Sequence, residues 1–304
     1  MTGSAKHALF VHAHPDDESI NNAATMAKYV AAGIGVTLVT CTAGEMGEVL
    51  VPELEHLAHD KDDKLAEQRQ VELTHAMAEI GVTDHRFLGG FGKYRDSGMQ
   101  WHEDGHAIAA DTIHDNAFWN ADLTAAADDL VAVIREVRPQ VLVTYDQFGN
   151  YGHPDHIQAH RVATYAASLA AVPSYRIDLG EAHDIAKVYW VAMSESWMRE
   201  GLRAMRAAGD ETTFEGMDPE GQLPPFVTAD ENLACMVDGT AFHEQKMRAL
   251  AAHATQITTD GPFFALSNNA GSQAWGYEFY RIAKGTKAAP YDEKGLETDL
   301  FNGI

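Results

Sequence analysis

Only two cysteines occur in the 304 residues, Cys41 and Cys235, and they stand far apart with no CxxC pair. That spacing excludes a disulfide scaffold and an all-cysteine metal site. Basic residues are scarce too: 22 Lys and Arg stand against 45 Asp and Glu, for a formal net charge of −23. A chain this acidic repels nucleic acid and anionic membranes, whose binding rests on Lys and Arg neutralising phosphate. No run approaches the roughly 20 apolar residues of a membrane-spanning helix. The stretch from Met1 to His7 lacks the apolar region of a secretory leader. The expectation is a cytoplasmic enzyme or binding protein, with neither nucleic acid nor membrane among its partners; oligomeric state is left open.

What is present reads as an ordinary globular chain, 45% hydrophobic and 22% charged. Its first half alternates strand-like and helix-like segments. Leu9-Phe10-Val11 is a short apolar run, a small-residue helix spans 22–32 with Gly33 as its stop, and Val36-Thr37-Leu38-Val39-Thr40-Cys41 suits a buried parallel strand. This is a βαβ pattern, but its helix does not open with GxGxxG, so a dinucleotide site has no support. Residues 42–63 form a long polar loop. Leu73, Met77 and Ile80 share one face of a helix that Gly81 ends. Arg86-Phe87-Leu88 reads as a short strand and 89–120 as a second long loop. Leu123 to Val137 reads as a helix stopped by Pro139, and Val141 to Tyr145 as a strand. A Gly-rich turn then leads to a helix opening near Pro154. Later come a strand at 188–191, a helix at 196–208, a loop at 210–230, a helix at 243–253 and an aromatic strand at 277–282. The predicted class is α/β, a Rossmann-like, mostly parallel sheet flanked by helices. Residues 1–175 form its catalytic core, and a C-terminal α+β portion (176–304) completes the sheet and pocket within one integrated domain.

Two polar clusters follow predicted parallel strands: His14-Pro15-Asp16-Asp17-Glu18, and Gly149-Asn150-Tyr151-Gly152-His153-Pro154-Asp155-His156. Ligands of open α/β sheets bind beyond the carboxyl ends of the strands, so both clusters belong on one edge. Their residue types suit a catalytic metal, which takes three His or carboxylate ligands and leaves a position for water. Of two adjacent aspartates, one binds the metal while the other reaches the water, whose pKa the metal lowers to about 7.

The two motifs together resemble the LmbE/PIG-L family of zinc-dependent N-deacetylases, strongly over about 8–160 and loosely beyond. Val39-Thr40-Cys41-Thr42 and Arg95-Asp96-Ser97-Gly98-Met99 add to the likeness. The resemblance implies hydrolysis of the N-acetyl group of an amino-sugar glycoside, N-acetyl-glucosaminyl-inositol in mycothiol biosynthesis, with one Zn2+ per chain. Iron(II) also accepts such a ligand set. It implies His14, Asp17 and His156 as metal ligands and Asp16 as general base. It further implies a protonated His153 that stabilises the transition state or protonates the leaving amine, Asp155 orienting and tuning His153, Tyr151 polarising the amide carbonyl, and Arg69 and Asp96 holding inositol hydroxyls. The alternatives are a mycothiol S-conjugate amidase, a deacetylase of another amino sugar, or a non-catalytic nucleotide-binding module. The amidases carry a lysine shortly after the first motif where this chain has Asn21, which favours the smaller pseudodisaccharide.

Several nearby residues have duller readings. His7 and His12 fit strand-end or surface positions, Glu18 the start of the following helix, and Cys41 a buried strand. His160, one turn after His156, fits a supporting or solvent-facing place. Arg69 has Glu72 three residues on, so an ordinary ion pair competes with substrate binding. Glu45 and Glu48 fit either substrate contact or a solvated loop. His102, His106 and His114 match no motif.

Overall fold

A computed structural model describes residues 5–259, 261 and 274–304; Met1–Ser4, part of the stretch read above for a leader, lie outside them. The strand-forming runs assemble as follows. β1 (His7–His12) is hydrogen-bonded in parallel to β2 (Gly35–Thr40) and to β6 (Val141–Thr144), and β2 to β3 (Asp84–Phe87). β6 continues in parallel to β7 (Lys187–Ser194), which pairs antiparallel with β10 (Tyr277–Lys284), itself antiparallel to β9 (Cys235–Asp238). The order is therefore β3-β2-β1-β6-β7-β10-β9, with the two-residue β8 (Val227–Thr228) beside the end of β7. Strands from both sides of residue 175 share one sheet.

The parallel strands are apolar on both faces because helices cover both faces. Leu9, Phe10, Leu38, Val39, Leu142 and Val143 are fully buried. α2 (Leu65–Ile80) turns Leu73, Met77 and Ile80 inward and ends at Gly81, whose φ of 80° closes the helix in the left-handed region. α3 (Leu123–Val137) opens at Asp122, whose carboxylate accepts the Ala125 N–H at 2.8 Å. α6 (Glu195–Ala207) and α7 (His243–Ala252) complete the helices of the second half. None of the described helices is long and apolar enough to cross a membrane.

Three features differ from the sequence expectations. The first helix, α1 (Asp17–Ala31), starts at Asp17 rather than at residue 22. Asp17 and Glu18 occupy its first turn, where the helix dipole favours negative charge. Within the loop predicted at 89–120 a small hairpin forms from β4 (Gln100–Trp101) and β5 (Ala107–Ile108). β9 (Cys235–Asp238) forms in a stretch to which the sequence reading assigned no element.

Chain order reverses between β1 and β6: the chain runs outward through β2 and β3, then returns to the other side of β1. The crevice where open sheets bind ligands lies at this switch point. β1 ends at His12 and β6 at Thr144, so both polar motifs leave the sheet side by side.

Candidate metal centre and active site

The backbone delivers the donors from two helix starts. α1 begins directly after His14-Pro15-Asp16. The short α4 (Gly149–Gly152) breaks at Asn150, and α5 (Pro154–Ala170) opens with Pro154 in its first turn. Around that junction His14, Asp17, His153, Asp155 and His156 are all buried.

Asp17 lies at the centre. Its Oδ2 is 3.3 Å from His14 Nδ1 and 3.4 Å from His156 Nε2. A tetrahedral metal with arms of about 2.0–2.1 Å spaces its donors about 3.3–3.4 Å apart, so these two edges already have the right length. Neither ring nitrogen of His156 has a hydrogen-bond partner although both are buried. An imidazole desolvated without a hydrogen bond is costly, and a metal ligand is what relieves it. The residues present therefore fit a cation. His153 offers a third imidazole within 4.8 Å of donor atoms on His14 and His156. Its Nδ1, however, is occupied by the Asp155 backbone N–H at 3.1 Å, which leaves Asp17 as the better third ligand. A second donor group, His102, Asp104 and His106, lies out on the hairpin and is largely exposed.

Electrostatics follow from this crowding. Burial pushes Asp17 up, but the His156 and His14 rings more than offset it and hold its carboxyl well below the ordinary range. Burial pulls His14 down, and Asp96, Asp155 and Asp17 overcome it, holding that ring well above its usual value. Asp16 is pushed up to about 6, by burial first, with the Arg69 guanidinium pulling the other way. Burial, with His14 and His156 alongside, holds His153 well below the ordinary histidine value.

Two expectations are corrected here. Asp155 does not sit on His153: its carboxylate accepts the Ser97 N–H at 2.9 Å and the Ser97 hydroxyl, and lies 3.3 Å from His14 Nε2. Asp155 thus faces His14, whose ring turns Nδ1 toward Asp17 and Nε2 toward Asp155. Nor is His153 protonated in this arrangement. A ring nitrogen that accepts a backbone N–H carries no proton, so the neutral tautomer has its hydrogen on Nε2.

Arg69 is 3% exposed and does not pair with Glu72. Its Nη1 donates to the Gly44 carbonyl at 2.8 Å, and its Nη2 donates to the Pro15 carbonyl and to Asp16 Oδ2 at 3.2 Å. Gly44, at φ 68°, is required here because a Cβ would occupy the space of the guanidinium. Asp96 accepts the Gly98 and Met46 N–H groups and lies 3.7 Å from His14 Nε2. Both residues line the cavity, but both already have partners within the protein.

The other candidates resolve as follows. His12 bonds Tyr145 and Asn22, His7 bonds Thr37, and His160 bonds the Tyr145 carbonyl, so all three have structural partners. Glu45 accepts the Asp96 N–H, Glu48 is exposed at the cavity, and Cys41 is buried. Among the described residues the Tyr151 hydroxyl has no hydrogen-bond partner, and its ring lies 5.1 Å from that of His156. Sequence reasoning missed Ser97 as a partner of Asp155, and Tyr145, whose ring stacks on His156 at 4.2 Å. No local signal marks either one. The cavity over these groups measures about 780 Å³. Its lining joins the polar motif residues to an apolar group that includes Met193, Trp197, Met198, Phe214 and Phe226.

Residues 9–167 match the family model described as GlcNAc-PI de-N-acetylase, PIG-L. The chain belongs to the PIG-L family. The match spans both polar motifs, and the family is one of metal-dependent deacetylases. A protein of a Nocardioides species named 1D-myo-inositol 2-acetamido-2-deoxy-alpha-D-glucopyranoside deacetylase is 74% identical over 97% of this chain and 98% of its own. A Kribbella flavida protein of the same name is 63% identical over 98% of each chain. Among solved structures, N,N'-diacetylchitobiose deacetylase from Pyrococcus horikoshii aligns with a TM-score of 0.59 at 18% identity, covering 93% of this PIG-L chain and 85% of its own. A 4-carboxy-2-hydroxymuconate hydratase from Pseudomonas putida aligns equally well, with a TM-score of 0.59 at 16% identity over 94% and 100%. The fold is thus shared, and it hosts more than one chemistry.

Proposed function

We propose that this enzyme hydrolyses the N-acetyl group of 1D-myo-inositol 2-acetamido-2-deoxy-α-D-glucopyranoside, a step of mycothiol biosynthesis, in the cytoplasm. The observation that carries this reading is the relative of that name at 74% identity over almost the whole chain, together with a buried His-Asp-His donor set that matches a metal. Zinc is the proposed cation, with His14, Asp17 and His156 as its ligands. When bound, the metal polarises the acetyl carbonyl and acidifies the attacking water.

The remaining roles fall to side chains. Asp16 takes the proton from the attacking water as its oxygen adds to the acetyl carbon. His153 donates its Nε2–H, and Tyr151 its hydroxyl, to the oxygen that gains charge, each such donor being worth about 3–4 kcal/mol. Asp16 then hands its proton to the amide nitrogen as the C–N bond breaks, releasing acetate and the free amine. A neutral His153 serves as a hydrogen-bond donor, so one carboxyl moves the proton in both directions. Arg69 keeps Asp16 ionised and anchored.

The apolar part of the cavity lining favours a second reading, hydrolysis of a larger amide such as a mycothiol S-conjugate. Acetate release from the acetylated pseudodisaccharide, measured against conjugate cleavage on zinc-loaded protein, separates the two. A kcat/KM for the conjugate above that for the pseudodisaccharide overturns the first reading.

A further inference from the structure

Asp16 adopts φ 119° and ψ −35°, a strained conformation for a non-glycine residue that persists only when surrounding contacts enforce it. Arg69 supplies part of that enforcement, on one side of the turn. On the other side the Asp16 N–H donates to Glu18 Oε2 at 2.9 Å. Glu18 is fully buried, and its Oε1 receives the Ser19 hydroxyl at 2.6 Å and faces His253 Nε2 at 2.8 Å. His253 is also fully buried, immediately after α7 and 235 residues away in the chain.

We infer that the buried Glu18–His253 pair is a positioning device, which holds Asp16 in its strained turn so that its carboxylate faces the cavity. The inference rests on the reading of Asp16 as the proton carrier. Glu18 has two oxygens and three donors to satisfy: the Asp16 N–H, the Ser19 hydroxyl and His253. Without His253, only the Ser19 hydroxyl remains on Oε1, the buried carboxylate loses the ring that fixes its orientation, and its hold on the Asp16 N–H loosens. Asp16 then relaxes toward an ordinary φ and its carboxylate swings away. A displacement of about 1 Å in a reacting group costs about 10²-fold in rate.

The test uses the zinc-loaded full chain. His253→Leu should lower kcat about 10²-fold, with KM and zinc content unchanged. His253→Gln, whose amide nitrogen reaches a similar point, should recover most of the loss. Glu18→Gln has a single acceptor oxygen and should reproduce the His253→Leu defect, which keeps the test open if His253→Leu does not fold. In an Asp16→Asn background, His253→Leu should cost nothing further, because both changes remove the same contribution. Full additivity, or a defect confined to KM or zinc content, overturns the inference. Amide hydrogen exchange gives a readout independent of turnover: the Asp16 N–H should exchange faster in His253→Leu and stay protected in His253→Gln. Unchanged exchange in His253→Leu overturns the clamp, whereas full activity in Asp16→Asn overturns the reading of Asp16 itself.

Discussion

Lys187, Tyr189 and Glu297 bury their polar groups on the β7 side of the sheet, just as His14, Asp17 and His156 do at the switch point. Lys187 Nζ meets Glu297 Oε1 at 2.6 Å, the Tyr189 hydroxyl donates to Oε2 at 2.6 Å, and the Ala288 N–H donates to Oε1 at 2.8 Å. None of their side-chain polar atoms is left without a partner. The switch-point cluster is different. Asp16, Asp17, Asp96 and Asp155 crowd around three imidazoles, and both nitrogens of His156 lack hydrogen bonds. A buried polar network that closes on itself holds structure, whereas unpartnered ring nitrogens among several carboxylates suit a cation. Burial and charge alone do not tell these two clusters apart; the unpartnered ring nitrogens of His156 do.

The largest effect expected from breaking this contrast comes at the bare cluster. Ala in place of His14, Asp17 or His156, or chelation of the wild type, should remove the metal and abolish acetate release. Retention of stoichiometric metal by His156→Ala would assign the ligands differently. Asp16→Asn should keep its metal and lose about 10²–10⁴-fold in kcat. The sign of the pH dependence follows from the need for an ionised Asp16. Activity falls as pH drops through its pKa, at about 6 without a metal, and a bound cation draws that midpoint lower. Arg69→Met removes a neighbouring positive charge and should shift the acid limb of kcat/KM to higher pH. A limb that stays in place would detach Arg69 from the base.

At the closed cluster the effect should appear in stability and not in metal binding. Lys187→Met leaves Glu297 buried and unpaired, which should cost about 3–5 kcal/mol in chemical denaturation, with zinc affinity unchanged. Asp155→Asn tests the shared ground between the clusters. It weakens the carboxylate behind His14 and should lower zinc affinity about 10–100-fold, read by competition with a chelator. The smallest effect belongs to Arg86, whose pairs with Asp84 and Glu136 are partly exposed at the edge strand. Arg86→Ala should cost about 0–1 kcal/mol, and a larger loss would mean that surface pairing contributes more to this acidic chain than its exposure implies.

Much of the architecture was legible because its signals are local. The apolar runs at β1, β2 and β6 and the periodic faces of α2 and α3 each lie within a window of a few residues. The start of α1 was misplaced because its periodic small residues begin only at Asn22, although Glu18 read as a helix-start residue; in the folded chain Asp17 and Glu18 form the first helical turn. The two-residue strands of the β4–β5 hairpin are too short to leave a pattern. In the site, the motif residues were legible as a group. Their pairings were not: Asp155 follows His153 closely in the chain, yet its carboxylate lies against His14, 141 residues away.

The sequence by itself therefore determined an α/β sheet with two polar motifs on one edge, and the residue types a metal requires. Both depend on periodicity and on adjacency along the chain. Only the tertiary structure decided which carboxylate touches which imidazole, that Arg69 grips the Asp16 turn, and that His253 reaches Glu18 across 235 residues. The physical reason is range: hydrogen bonds form or fail within a few tenths of an ångström. At that scale the packing of distant segments, and not their spacing in the chain, sets the distances.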